Sequence, residues 1–454
     1  MGTFADAAGD LAGQVRGPVL LPDTEGFDEE VACWNTAVVH RPAIAIGALD
    51  AEDVAVAVRW AARLGLRVTV HATGHGPAAP VEDGMVISTR RLTDVMIDPS
   101  AAVARIGAGV KWAQVIAAAA EHGLAPLNGS SSDVGAVGYT LGGGLGLMAR
   151  RYGFAADHVR SLRVVTADGQ IRTVDEDQDS ELFWALRGAG KGRFGVVTEM
   201  EIELVPVRNL FGGGIYYPAS AAAAVLHAFG PWAMTLPEQT STSVAMLRLP
   251  DAPDVPAPIR GQFVVHLRLA HLGTASEGER IIAPMRAIAP SIVDTLAEMP
   301  YTAVDAIHND PVHPMPAYTA GALLRALPAE AVDALLAAAG PTVEVPLAVV
   351  ELRLMGGAAG RPAATPNAVS GRDGAFSLFT IAPMIPGLEA VVPAVVTTVL
   401  DALEPFTAPT ALANFERPSA HSTDEYADWP ALDRARLQLI QKTYDPTNLF
   451  TGRR

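Results

Sequence analysis

Apolar and polar residues alternate with two periods in the first 206 residues, and each period predicts a different element. Apolar residues recur every three to four positions over Ala51–Leu64, which predicts a helix with Asp50 as its N-cap and Gly65 at its end. The apolar run 67–70 predicts a buried strand. The order helix, strand and glycine-rich loop places His75 at a strand end, where α/β folds commonly bind ligands.

Further runs in this part of the chain predict more strands and helices. Strands are expected at 84–88, 94–98, 103–107 and 196–204, and helices at 110–122 and after a Ser180 cap. Polar and apolar residues alternate strictly in 196–204, so Glu199, Glu201 and Glu203 should face water while the residues between them are buried.

The pattern of predicted elements changes after Pro206. From 207 to about 410, proline-rich turns separate predicted strands from alanine-rich helices, which is an α+β pattern. The strands are expected at 262–269 and 349–354 and the helices near 220–229 and 328–339. We therefore predict one domain over 1–206, a second over 207–410, and a final segment, 411–454.

Composition narrows the class of protein. The 454 residues are 50% hydrophobic and carry a net charge of −16, so the chain is long enough for two globular domains and offers no basic face for nucleic acid or anionic membranes. Cys33 is the only cysteine, which excludes an intrachain disulfide. The first residues lack the pattern of a signal peptide, so a soluble, cytoplasmic protein is expected; the oligomeric state is left open.

Two glycine-rich loops carry the strongest chemical signal. The first is 73–76, Thr-Gly-His-Gly, and the second is 130–144, Ser-Ser-Ser-Asp-Val-Gly-Ala-Val-Gly-Tyr-Thr-Leu-Gly-Gly-Gly. Glycine allows positive φ angles and close approach of bare backbone N–H groups to an anion. Two such loops in one domain predict a cofactor that carries a pyrophosphate.

These loops are followed in order by further short motifs. They are 107–112 (Gly-Ala-Gly-Val-Lys-Trp), 182–188 (Leu-Phe-Trp-Ala-Leu-Arg-Gly), 194–198 (Phe-Gly-Val-Val-Thr) and 444–450 (Tyr-Asp-Pro-Thr-Asn-Leu-Phe). Together they resemble the FAD-linked oxidases of the vanillyl-alcohol oxidase superfamily, in the berberine-bridge-enzyme-like branch, over most of the chain.

The resemblance implies a two-domain α+β flavoprotein. A PCMH-type FAD-binding domain of two small α/β subdomains would occupy about 37–206, 207–410 would form an antiparallel sheet covered by helices, and 411–454 would return to the FAD domain. The cofactor-binding residues that it implies are Thr73, Gly74, His75, Gly76, Pro77, Ser131, Ser132, Val134, Gly135, Gly138, Tyr139, Thr140, Gly142, Gly143, Gly195, Val196 and Asn448.

The resemblance further implies that His75 bonds covalently to the flavin 8α-methyl carbon. Relatives with a second bond carry a cysteine ahead of the Val-Gly element, where this chain has Ser131 and Ser132, and Cys33 is distant in sequence, so a single linkage is expected. Two other interpretations of His75 are a plain turn residue and a metal ligand paired with His71. The pair would need a helix, which the neighbouring glycines disfavour, and no metal site is predicted.

Charges placed on predicted strands give the candidate catalytic residues. Glu351 and Arg353 share one face of 349–354, and they form either an internal ion pair or part of a pocket, because unpaired buried charge is costly. His266 and Arg268 repeat this pattern on 262–269, where a solvated face is equally compatible. We predict Glu351 as the base, Arg353 as a substrate-orienting residue, and Tyr139 as the first alternative.

The sequence leaves the roles of four residues open. Tyr139 can aim its phenol at the flavin or pack inside with its hydroxyl bonded to backbone. Arg193 can compensate phosphate charge or be solvated on a surface loop. His308 and His313 belong to a proline-rich loop that is expected to be structural or to line the substrate site.

The function that follows is an FAD-dependent oxidase. A small alcohol, amine or phenolic molecule, such as a secondary metabolite, would give a hydride to covalent FAD, and O2 would reoxidise the flavin to yield H2O2. Two alternatives are an oxygenase or oxidative cyclase acting on a biosynthetic intermediate, and a resistance protein that sequesters or slowly oxidises a toxic quinone.

Overall fold

The described strands of the chain form three sheets. The computed structural model describes residues 4–76, 80–415 and 426–450, so Pro77 of the first loop lies outside the described residues. The sheets contain four, five and eight strands. Among the helices of these described ranges, none is both long and apolar enough to cross a bilayer.

The first sheet carries the strand that leads to His75. Its strands follow the order β1-β2-β4-β3, with β2, β4 and β3 parallel and β1 antiparallel. The strands are β1 Val19–Leu20, β2 Ile44–Gly47, β3 Val68–His71 and β4 Met85–Ser88, and the helices beside them are α1 Phe4–Ala12, α2 Phe27–Val31 and α3 Ala51–Leu64. The predicted α3 is confirmed, because the Asp50 side chain accepts from the Asp53 N–H at 2.8 Å and Gly65 has φ 69°.

The second sheet is antiparallel and follows the order β5-β6-β9-β7-β8. Its strands are β5 Val95–Asp98, β6 Val103–Gly107, β7 Val159–Val165, β8 Ile171–Val174 and β9 Val196–Glu203, and its helices are α4 Trp112–Ala120, α5 Ala136–Leu141, α6 Ala149–Tyr152 and α7 Ser180–Ala189. The predicted alternation in β9 is confirmed: Glu199, Glu201 and Glu203 are partly exposed, and the residues between them are buried.

The predicted cap of α7 is wrong by one residue. Ser180 is the first residue of the helix, and Asp179 precedes it in the left-handed conformation with φ 49°. The carbonyl of Asp179 already accepts from the Phe183 N–H, so the helical bonding starts there. The Asp179 carboxylate is held instead by the Tyr444 hydroxyl at 2.9 Å.

The third sheet is antiparallel and follows the order β13-β10-β12-β11-β16-β17-β15, with β14 also paired to β10. Its strands are β10 Asn209–Pro218, β11 Thr240–Arg248, β12 Phe263–His271, β13 Val293–Asp294, β14 Ala297–Pro300, β15 Ala317–Leu324, β16 Val349–Leu354 and β17 Phe376–Pro383. One face packs an apolar core against α8 Ala222–Ala233, α9 Ala275–Arg286, α10 Ala329–Ala339 and α11 Val391–Leu403. This arrangement confirms the expected sheet covered by helices.

The end of the described chain lies beside the first two sheets. Helix α12, Ala431–Tyr444, packs on α7, and the Val68 N–H donates to the Leu449 carbonyl at 2.8 Å. The domain limits near 206 and 410 stay predictions.

A short extended segment, 34–36, joins the first glycine-rich loop to the third sheet. On one side the N–H groups of Trp34 and Asn35 donate to the carbonyls of Thr73 and Gly74. On the other side the Asn35 side chain donates to the Ala317 carbonyl at 2.8 Å and accepts from its N–H at 2.9 Å. The His75 loop and β15 are therefore held by the same three residues.

Arg150 fixes the end of the second loop on the third sheet. Its buried guanidinium group donates to the carbonyls of Thr240, Met355 and Leu236 at 2.8, 2.5 and 2.9 Å. Three bonds from one cation to backbone carbonyls compensate its burial. The second loop is thus held in register with β11 and β16.

Candidate active site

His75 lies where the two glycine-rich loops meet. Its ring stacks on Trp34, with the centroids 4.6 Å apart and the planes 18° apart. Nδ1 is 2.9 Å from the Thr73 hydroxyl, and Nε2 is 3.5 Å from a carboxylate oxygen of Asp133. The imidazole is therefore held on both sides by polar groups and on one face by an indole.

The surroundings keep this imidazole neutral. Burial, aided by the charges of Lys111 and Lys191, lowers the pKa of His75 to about 4 against the opposing effect of Asp133. Lys111 Nζ lies 2.5 Å from the Asp133 carboxylate. A neutral imidazole has a lone pair to form a bond with carbon, whereas an imidazolium does not.

Glycines leave room in both loops. Gly74 has φ 70°, and a Cβ at this position would stand 2.6 Å from the Cα of Cys33, so only glycine allows the first loop to approach segment 34–36 so closely. A Cβ at Gly138 would meet no atom within 4 Å, and one at Gly135 would only touch Thr73 at 3.4 Å. The space beside Gly138 is therefore open.

The start of the second loop is not open, because it is hydrogen-bonded to the predicted second domain, 207–410. Ser132 donates its N–H and its hydroxyl to the carboxylate of Asp305, and the Ser131 hydroxyl accepts from the Asp133 N–H at 3.3 Å. The Val134 carbonyl accepts from the Trp112 N–H at 3.1 Å. These bonds set the path of the loop as it passes His75.

Several other predicted cofactor residues have partners inside the protein. The Thr140 hydroxyl donates to the Ala136 carbonyl, and Asn448 accepts from Gln441 at 3.3 Å. A Cβ at Gly142 would overlap Asn414, and Gly195, with φ 154°, lies against the Val165 carbonyl. Gly143 has φ 98°, and Val196 is fully buried. Gly76 is half-buried. Their contact with the cofactor stays a prediction.

The surroundings of Tyr139 agree fully with neither of its two predicted roles, a phenol aimed at the flavin or a packed ring with its hydroxyl bonded to backbone. Its ring packs at 5.7 Å and 89° on Trp112 and fills the space beside Gly144 and Gly146. Its hydroxyl is buried and has no hydrogen-bond partner among the described residues, so the expected bond to backbone is wrong. Burial raises the pKa of Tyr139 far above its usual value, which makes the phenolate an unfavourable base.

Two further expectations from the sequence change with the structure. Arg193 is buried, with its guanidinium group 5.0 Å from the ring centre of Tyr426, so the solvated interpretation is wrong. His71 clusters with Cys33 and His40 rather than with His75. These are residue types that bind metal, but His40 Nδ1 accepts from a backbone N–H and its Nε2 then carries the proton, so we assign the cluster no metal.

The face of the third sheet opposite helices α8–α11, here termed the free face, carries two rows of side chains. One row runs across the strands as Tyr216, His266, Ala245, Glu351 and Phe379, and the next as Gly214, Arg268, Ser243, Arg353 and Ser377. The predicted sharing of a face by Glu351 and Arg353 is confirmed, and His266 and Arg268 share that face. It is buried, so the solvated alternative for β12 is wrong.

Glu351 is the centre of a charged network. Its carboxylate lies 2.9 Å from Arg268, 3.2 Å from Arg353 and 3.5 Å from His308 Nε2. Although burial alone would raise the pKa of Glu351, Arg353, Arg268 and a bond from His308 hold it well below its usual range. His266 joins this network through Nδ1, which accepts from Arg268 at 3.0 Å, and it stacks on Tyr216.

A cavity opens on this network. It is small, and it is lined by Gly146 and Leu147, which follow the second loop, by Ser243, Arg268 and Arg353 of the sheet, and by His308. Two of its buried polar atoms, Ser243 Oγ and His308 Nδ1, have no partner among the described residues. Burial keeps the pKa of His308 below its usual value, so the ring is neutral.

Comparison with known proteins gives these two regions a context. Residues 42–175 match the family described as FAD binding domain. The chain is 32% identical to (R)-6-hydroxynicotine oxidase of Paenarthrobacter nicotinovorans over 305 residues, which span 65% of this chain and 64% of that relative.

The crystal structure of 6-hydroxy-D-nicotine oxidase from Arthrobacter nicotinovorans matches with a TM-score of 0.82 and 28% identity, covering 96% of each chain. Residues 42–175 of the chain therefore match an FAD-binding domain. The berberine-bridge-enzyme-like protein 1 of Physcomitrella patens shares the fold, with a TM-score of 0.84 and 17% identity over 100% of this chain and 98% of that one. The two-domain flavoprotein fold predicted from the sequence is thereby confirmed.

The residues at the loop junction fit FAD. The open backbone at Gly138 would admit an anionic group, Lys111 and Lys191 supply positive charge beside His75, and Trp34 offers a buried indole N–H with no partner among the described residues. The FAD-binding domain therefore presents space, charge and a neutral histidine at one place.

Sequence reasoning missed several of these residues. Lys111 and Asp133 stand inside motifs that drew attention for their glycines alone, and Lys191 follows another glycine. Ser243 could have been noticed because Ser241 and Ser243 interrupt the apolar positions of β11 at a spacing of two. His308, by contrast, belongs to a loop that the sequence predicts to be structural or to line the substrate site, although no local pattern indicates that it reaches the strand face.

Proposed function

We propose that this protein is an FAD-dependent oxidase with the flavin bonded covalently to His75 alone. The observation that carries the proposal is the neutral imidazole of His75 at the junction of the two glycine-rich loops, beside the open space at Gly138. When bound, FAD accepts a hydride from the substrate and passes the electrons to O2, which yields H2O2. The relatives named for oxidase activity support this choice.

The single linkage rests on the residues near the second loop. Ser131 and Ser132 are hydroxyl residues engaged in hydrogen bonds and cannot form a thioether. Cys33 is distant in sequence yet lies against Gly74 in space. Burial raises the pKa of the Cys33 thiol to about 11, so it stays protonated and a weak nucleophile.

Acid denaturation of the purified protein tests the attachment. We expect the precipitated polypeptide to stay yellow, with the flavin on the proteolytic peptide that contains His75. The variant His75→Ala should release its flavin on denaturation, while Cys33→Ser should keep it. A colourless wild-type precipitate with a yellow supernatant, or flavin on the Cys33 peptide, would contradict the proposal.

We infer that substrate is oxidised over the free face of the third sheet. The cavity there is small and is lined by the predicted residue Arg353 together with His308, and the buried Glu351 contacts both of them. Such a site suits a small alcohol, amine or phenolic molecule, and it excludes water from the reacting atoms.

Within this site we propose His308 as the group that takes the substrate proton. His308 Nε2 lies 3.5 Å from the anionic Glu351 and 3.4 Å from Arg353 Nη2, and Glu351 favours the tautomer with the proton on Nε2 and the lone pair on Nδ1, which has no partner among the described residues. Glu351, predicted as the base itself, is held anionic by two arginines and is therefore a poor proton acceptor. Its role becomes that of a positioning residue for His308.

Anaerobic mixing with a panel of small alcohols, amines and phenols tests the activity. A substrate should bleach the flavin without O2, and admission of air should restore the colour with one H2O2 per turnover. Flavin that no compound reduces, or a labelled oxygen atom found in the product, would contradict the oxidase proposal.

A further inference from the structure

Ser243 stands between two arginines on the free face of the third sheet. It pairs directly with Arg268 on β12 and with Arg353 on β16. Directly paired residues of antiparallel strands have Cβ atoms about 5 Å apart, so the hydroxyl of Ser243 is flanked by both side chains. All three residues line the same cavity.

The charges at this cavity do not balance. Arg268 and Arg353 contribute two positive charges, and Glu351 contributes one negative charge. His308 is neutral because burial lowers its pKa. The cavity therefore has one positive charge in excess, although the whole chain carries −16. A buried cation without a counterion is costly, which indicates that a further anion belongs here.

Hydrogen-bond donors without an acceptor lie around this cavity. Ser243 Oγ is buried without a partner, and within 4–76, 80–415 and 426–450 no acceptor lies in hydrogen-bond distance of Arg268 Nη2. Arg353 Nη1 reaches only the Leu145 carbonyl, at 3.4 Å. One hydroxyl and two guanidinium groups can together serve both oxygens of a carboxylate.

We propose that this cavity is a carboxylate-binding subsite, and that the substrate is a small carboxylic acid whose alcohol or amine carbon is oxidised beside it. This assignment rests on the proposed oxidase function. Ser243, Arg268 and Arg353 bind the carboxylate, and the nearby Nδ1 of His308 faces the O–H or N–H group. The two arginines repel a substrate that places a cationic amine in this cavity.

Binding of benzoate and benzamide to the flavin-containing protein tests the subsite. The two probes have the same shape and differ in charge, and calorimetry measures their affinity without turnover. We expect benzoate to bind at least about tenfold more tightly than benzamide, because charged hydrogen bonds outweigh neutral ones. Equal affinities would overturn the proposal.

The variant Ser243→Ala should weaken benzoate binding by about 10- to 100-fold and leave benzamide unaffected. It removes a hydroxyl that has no partner, so the fold should be retained. Ser88→Ala is the matched control, since Ser88 Oγ is also buried without a partner among the described residues but lies in the first sheet. An unchanged benzoate affinity in Ser243→Ala would contradict the subsite.

The outcomes separate this proposal from the oxidase proposal. A yellow protein that is reduced by neutral substrates and does not distinguish benzoate from benzamide keeps the oxidase function and loses the subsite. A protein that binds benzoate selectively but releases its flavin on denaturation and is reduced by no compound keeps the subsite and loses the proposed function.

Discussion

Strands β9 and β16 have the same alternating pattern and opposite surroundings. In β9 the charged residues Glu199, Glu201 and Glu203 are partly exposed and pair with arginines at the surface. In β16 Glu351 is buried and paired with the mostly buried Arg353, which lines a cavity. Alternation thus establishes which residues share a face, but the neighbouring elements decide whether that face meets water or a ligand.

The free energy that a charged residue contributes therefore differs between β9 and β16. Surface ion pairs contribute about 0–1 kcal/mol each, because water screens them. Removing one partner of a buried pair leaves an uncompensated charge and is far more costly. Changes in β16 should therefore affect function strongly, and the equivalent changes in β9 should be nearly silent.

The largest effect is expected for Glu351→Gln. The amide keeps the shape and an acceptor oxygen but removes the negative charge that favours the proton of His308 on Nε2, so reduction of the bound flavin should slow by about 10²–10⁴-fold. Stopped-flow reduction without O2 measures this rate, and acid denaturation checks that the flavin stays attached. Glu201→Gln on β9 is the control. If the Glu351→Gln rate equals the wild-type rate, Glu351 does not position the proton acceptor, and His308→Gln is the next variant to test.

Arg353→Ala should instead act mainly on substrate binding. Loss of a charged hydrogen bond is expected to raise KM by about 10- to 100-fold, with a smaller effect on the limiting rate of reduction. Steady-state peroxide formation over a range of substrate concentrations gives both values. A fall in the limiting rate with no change in KM would place Arg353 in the chemical step.

The rate of flavin reduction should also depend on pH through His308. Burial places the pKa of His308 below its usual 6.5, and only the neutral ring accepts a proton. The rate should therefore be constant above this pKa and fall as the pH drops through it, by about tenfold per pH unit. In Glu351→Gln this inflection should shift, and in His308→Gln it should disappear. Persistence of the inflection in His308→Gln would assign it to another group.

The smallest effect is expected for Glu201→Gln on β9. Its ion pair with Arg105 spans 3.3 Å at the surface, so the free energy of unfolding should change by less than about 0.5 kcal/mol. Urea unfolding measures the change. A loss of several kcal/mol, as expected for a buried pair, would show that the two strands do not differ in the way described.

Much of the fold could be predicted from local patterns. Helix α3 has the predicted cap and end, and β6 and β16 have the predicted limits, because spacing and turn chemistry act within a few residues. The site was predicted only in part. Ser243, Lys191 and His308 reach it through pairing and packing between distant segments, which no local pattern records.

The contacts of segment 34–36 limit how a domain of this protein can be exchanged with that of a relative. Asn35 satisfies β15 through its side chain and the His75 loop through its backbone, although it precedes both by many residues. A chimera that grafts residues 207–410 of a relative onto this FAD-binding domain would leave Asn35 facing a foreign strand. Exchanging residues 34–36 together with the graft should restore the match, so the unit of modular exchange is discontinuous in the gene.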